Sequence, residues 1–127
     1  METAKDFINR KEEQFEKEKD KLILFKHITR KGKVYWKREA WALMQQHNLK
    51  NEKVFVFERL KFHKSDVNEN LGSKKEGDIE YRIGYYIVGK INNRKDKWTW
   101  GQFCPVIPLE DFNRLIDLAK KKGVIKE

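Results

Sequence analysis

Two groups of residues in this chain combine the side chains that nucleic-acid binding needs, cations that displace counterions from phosphate and aromatic faces on which bases stack. In the first, Lys31, Lys33, Lys37 and Arg38 surround Tyr35 and Trp36. In the second, Arg82, Tyr86, Lys90, Arg94, Lys95 and Lys97 lie along or beside a hairpin. With Arg82 and Tyr86 on an open sheet face, the second group would make a stacking platform with a cationic rim. Phosphate contacts are assigned to Lys31, Lys33, Lys37, Arg38, Arg94, Lys95 and Lys97, and stacking to Tyr35 and Tyr86. Lysine reads charge and leaves base edges unread, so low sequence specificity and steep salt dependence are expected.

Other chemistry has thinner support. Hydrolysis by a metal-dependent nuclease needs clustered carboxylates, and Asp78 and Glu80 share a face if a strand begins that early. Acidic pairs at strand starts are common on surfaces, so no metal or cofactor is assigned. Cys104 lacks a neighbouring base in sequence, and His27, His47 and His63 match no zinc spacing. Gly84 and Gly89 lie inside a strand, not in a phosphate-cradling turn before a helix. No catalytic residue is named. Trp98 and Trp100 share a strand face and read as core residues.

Charge is unevenly spread. The 127 residues carry a net +9. Residues 21–64 hold twelve bases against three acids and residues 81–104 five against one, whereas residues 65–80 hold five acids against two bases. Such a bias favours an anionic partner. A single cysteine excludes an internal disulfide and fits a reducing compartment. The charged N-terminus does not read as a signal peptide, and no apolar run reaches spanning length, so a soluble cytoplasmic protein without a membrane partner is expected.

Several elements must position these residues. Period-two alternation from Tyr81 to Ile91 predicts a strand with Tyr81, Ile83, Tyr85, Ile87 and Ile91 on one face and Arg82, Tyr86 and Lys90 on the other. A turn over Asn92–Lys97 leads to a second strand, with Gly89 placed opposite Trp100. Pro108, the acids Glu110 and Asp111, the bases Lys120 to Lys122 and Gly123 predict a helix over 108–122. Its stripe of Leu109, Phe112, Leu115, Ile116 and Ala119 is expected to pack on the sheet. Leu22 to Ile28 and Val54 to Phe62 read as strands. The apolar spacing of Trp36, Ala40, Trp41, Leu43 and Met44 predicts a helix over 37–48.

The fold expected is α+β, an antiparallel sheet of three to five strands covered on one face by two helices, with a peripheral charged helix at residues 1–20. Residues 21–127 form one domain with a mobile polar loop at 63–78. The leading expectation is a small basic nucleic-acid-binding protein, with DNA and RNA both open. A protein-interaction or assembly module, pairing as a homodimer or with another protein through the N-terminal helix or a sheet edge, is the alternative. A metal-dependent nuclease is the second alternative.

Overall fold

The computed structural model describes residues 1–26, 33–65 and 75–126. Helix α1 (Ala4–Lys17) is followed by β1 (Leu22–Lys26), β2 (Lys33–Gln45), β3 (Lys53–Ser65), β4 (Ile79–Val88), a 3-10 turn (Asn92–Arg94), β5 (Trp98–Trp100) and α2 (Leu109–Lys121). The five strands pair in sequence order as one antiparallel sheet. The sheet curls. The Arg82 guanidinium lies 4.5 Å from the ring of Phe25 on β1 and 4.8 Å from Trp100 on β5, so side chains of both edge strands meet around a β4 residue.

The expected helix over 37–48 is instead the outer half of β2. A β-bulge explains the misreading. Arg38 pairs with Leu60 and Ala40 with Arg59, which leaves Glu39 as an extra residue. The extra residue shifts the side-chain phase by one, so Trp36 and Arg38 before it share a face with Trp41 and Leu43 after it. Ala42 and Met44 are also covered, from the opposite side. Apolar residues on both faces, displaced by one position, imitate the spacing of a helix.

The two helices cover opposite faces of the sheet, not one. On the concave face Phe7 and Phe15 of α1 are 0% and 1% exposed and pack on Trp41, Leu43, Val54, Val56 and Tyr86. The N-terminal helix is therefore a plug in the core, not a peripheral extension. Its first turn is fixed at three points: the Thr3 hydroxyl accepts from the Asp6 amide at 3.2 Å, the Ala4 amide donates to Asn51 Oδ1 at 2.9 Å, and the Trp98 indole donates to the Glu2 carbonyl at 3.0 Å. With both phenylalanines buried, the helix keeps little apolar surface for pairing with a partner.

On the convex face α2 buries Leu115 and Ala119 against Ala42, Phe55, Phe57 and Tyr85. Its expected boundaries hold, but the stripe is narrower than predicted, since Leu109 and Phe112 are exposed. The His47 imidazole bonds both Asp111 (2.6 Å) and Glu110 (2.7 Å), tying the first turn of α2 to the β2–β3 turn. At the other end Arg59 donates to the carbonyls of Gly123 and Val124, which complements the C-terminal dipole.

The β4–β5 register is Tyr86 to Trp100, Ile87 to Thr99 and Val88 to Trp98, three residues from the expected one. The turn is longer than its polar residues alone suggest, and Asn92 and Asp96 supply its positive φ angles. Trp100 does cover a strand glycine, but the glycine is Gly84, where a Cβ would overlap the indole. The expected loop at 63–78 is shorter at its start because β3 continues to Ser65, and its middle, residues 66–74, lies outside the described residues.

Candidate nucleic-acid interface

Lys31 and His27 lie outside the described residues. The other expected contacts divide into three separate places. Arg38, Arg82 and Tyr86 belong to the concave interior. Arg38 Nε donates to Glu58 at 2.7 Å, and Arg82 donates to both Glu58 oxygens at 3.0 and 3.1 Å. Glu58 is 1% exposed, and the Arg38 guanidinium stacks on Phe15 at 3.8 Å. Tyr86 is wedged edge-on between Phe7 and Trp100, and burial pushes its phenol up to about 12, with the negative charge of Glu58 adding to the shift. The face expected to be an open stacking platform is covered by α1 at Tyr86, and at Arg82 it is closed by Phe25 and Trp100 from the two edge strands. The signal for this was Glu58, a lone carboxylate in phase with Val54, Val56 and Leu60. A carboxylate on such a face needs buried cations.

Lys90, Arg94, Lys95 and Lys97 are exposed at the β4–β5 turn. Lys90 pairs with Glu52 at 3.4 Å, which places this turn beside the start of β3. Lys33, Tyr35 and Lys37 are at the far end of β2, a strand of 13 residues. At roughly 3.3 Å per residue the two groups are on the order of 30–40 Å apart, so the sheet does not join them into one site.

The structure brings together a different set at the β1 end. Here the convex face extends past the sheet residues that α2 packs on. Register places Lys37 opposite Lys61, Tyr35 opposite Lys64, Leu24 opposite Tyr35 and Leu22 opposite Lys37. All share one face, while Ile23, Phe25, Val34 and Trp36 turn to the concave side with Leu60 and Phe62. Lys64 Nζ sits 5.2 Å from the Tyr35 ring, and Leu22 and Leu24 are exposed. Lys37 and Lys61 jointly line two hollows. One, of about 300 Å³, is completed by Lys19, Asp20, Glu39 and Arg59, and the other, of about 130 Å³, by Phe62, His63 and Glu76.

Charge on this face is incompletely balanced. Glu39, the bulge residue, bonds Arg59 at 3.1 Å and approaches Lys61 at 3.7 Å. Among the described residues no carboxylate forms an ion pair with Lys33, Lys37 or Lys64. Lys61 reads in sequence as part of a core strand and Lys64 as part of the polar loop at 63–78, and only the cross-strand register brings them to Lys37 and Tyr35.

Asp78 precedes β4 and accepts from the Lys75 amide at 2.8 Å, while Glu80 lies on the strand opposite Leu60. Among the described residues no three histidine, cysteine or acidic side chains converge as a metal site. Cys104 is exposed in the β5–α2 connector, and His47 and His63 are engaged with carboxylates. No helix among the described residues is long and apolar enough to cross a membrane. No protein-family model, curated protein or solved structure matches this chain.

Proposed function

We propose that the convex face of β1–β3 binds single-stranded nucleic acid with little sequence preference. Lys33, Lys37, Lys61 and Lys64 take the phosphates, and Tyr35, flanked by Leu22 and Leu24, offers apolar surface to a base. The observation that carries this reading is the Lys37–Lys61 register pair. Like charges directly opposite on a sheet destabilise it by roughly 0.2–1 kcal/mol, a cost an anionic ligand reverses. An open convex strand surface suits unpaired bases better than duplex, whose major groove is read by an inserted helix or ribbon.

Lys37→Glu with Lys61→Glu tests this in a fluorescence anisotropy titration with a labelled single-stranded oligonucleotide. Loss of binding is expected, whereas Arg94→Glu with Lys95→Glu and Lys97→Glu, at the far end of the sheet, retains most of it. The reverse pattern would move the site to the hairpin, and no binding by the unaltered protein would end the reading.

A further inference from the structure

We propose that the opposite end of the molecule docks on an anionic lipid bilayer, resting in the headgroup region without crossing it. Four large apolar side chains protrude there: Ile91 in the β4–β5 turn, Phe103 and Val106 in the β5–α2 connector and Leu109 in the first turn of α2, exposed by 71%, 81%, 80% and 80%. Their placement on one end follows from the contacts around Lys53. Lys53 pairs in register with the exposed Ile87, its ammonium donates to the Val106 carbonyl at 3.4 Å, and it lies 4.9 Å from the Tyr85 ring. The Gly101 amide donates to the Tyr85 carbonyl and the Val106 carbonyl accepts from Lys53, so residues 102–105, with the exposed Phe103 and Cys104, bridge two anchored points. The Glu52 carbonyl accepts from the Val88 amide, and its carboxylate holds Lys90, which brings in the turn bearing Ile91. The His47 bonds to Glu110 and Asp111 bring in Leu109.

The surroundings decide the occupant. Lys50, Lys90, Arg94, Lys95 and Lys97 are exposed around these tips and outnumber three acids, Glu52, which pairs with Lys90, Glu110, which pairs with His47, and Asp96, which sits in the turn between two lysines. A cationic rim repels a second copy of the same face and complements an anionic one. The apolar residues project from a turn, a connector and a helix start, and line none of the hollows at the other end. A protein partner needs a surface of matching shape, whereas a fluid interface accepts separate protruding tips and lets long lysine stems reach the headgroups. This surface shares no residue with the proposed nucleic-acid face.

Cys104, the only cysteine, reports on the proposal directly. The full chain labelled there with a polarity-sensitive fluorophore is mixed with vesicles of phosphatidylcholine containing phosphatidylserine, and with phosphatidylcholine alone. A blue shift and co-sedimentation with the anionic vesicles are expected. Val106→Asp with Leu109→Asp lowers the partition by at least about tenfold, and Ile91→Asp lowers it in the same direction. Because these side chains are exposed, thermal melts of the variants stay close to that of the parent. Lys37→Glu with Lys61→Glu leaves vesicle binding unchanged. Three results would overturn the proposal: no co-sedimentation, co-sedimentation without a shift and indifferent to the aspartates, or a shift that appears on raising protein concentration without vesicles.

Discussion

Replacing Glu58 with glutamine removes the buried carboxylate that holds two arginines inside the curled sheet, and leaves Arg38 only the more distant Glu18, at 3.9 Å, among the described acids. Glu58 is 1% exposed and accepts three hydrogen bonds at 2.7–3.1 Å from Arg38 and Arg82. Breaking a buried ion pair from one side costs about 3–5 kcal/mol, because the partner charge stays desolvated. Arg38 is buried and has nowhere to rehydrate, whereas Arg82 is partly exposed at the seam between Phe25 and Trp100. The expected loss is therefore near the lower end, about 3 kcal/mol. Domains of this size have stabilities of about 5–15 kcal/mol. With a urea slope of roughly 1–3 kcal/mol/M, the unfolding midpoint should fall by about 1–3 M. Urea denaturation followed by tryptophan fluorescence measures this, since Trp100 stands over Arg82. Replacing the whole set (Arg38→Met, Glu58→Leu, Arg82→Met) should recover most of the loss. Glu58→Gln within about 1 kcal/mol of the parent would refute the reasoning and mean that water reaches the network.

Other expectations follow from single contacts. The Tyr86 phenol is held neutral to about 12, above its ordinary value of 10.0, so its contribution is complete below pH 10 and is lost as pH rises from there through 12. Over that window the unfolded chain has released a proton that the folded one keeps, and stability falls by about 1.4 kcal/mol per pH unit. Tyr86→Phe should remove that slope, as read from urea midpoints at a series of alkaline pH values against the parent. Phe7→Ala should cost about 3–5 kcal/mol, measured by thermal or urea unfolding, and a loss under 1 kcal/mol would return α1 to the surface. Gly84→Ala places a methyl where the Trp100 ring lies and should cost about 1–3 kcal/mol with a change in tryptophan emission.

Local sequence signals identified what local chemistry determines. The α2 boundaries were legible from Pro108, its acidic first turn and Gly123, and the strand from Tyr81 from its alternation. β2 was misread because the Glu39 bulge shifts its phase and because both its faces are covered, neither of which appears in a single-strand pattern. Leu109 and Phe112 fit a helical stripe, but the buried row of α2 runs through Asp111, Leu115 and Ala119 and leaves those two exposed. The candidate face was half legible, in Lys33, Tyr35 and Lys37. Its other half required the pairing of Lys37 with Lys61, which lies 24 positions away in sequence. Nothing in the strand of Arg82 and Tyr86 announces that α1 lies over Tyr86 or that the curl of the sheet brings Phe25 and Trp100 around Arg82.

The salt dependence of single-strand binding tests the central claim most directly. Four lysine–phosphate contacts predict a slope of log Kobs against log salt of about −3, at ~0.7 per contact, or an affinity loss of roughly fiftyfold between 50 and 200 mM salt. Lys37→Gln with Lys61→Gln should flatten that slope by about 1.4. An unchanged slope in the double variant, or no measurable binding at the lower salt, would contradict the assignment of this face.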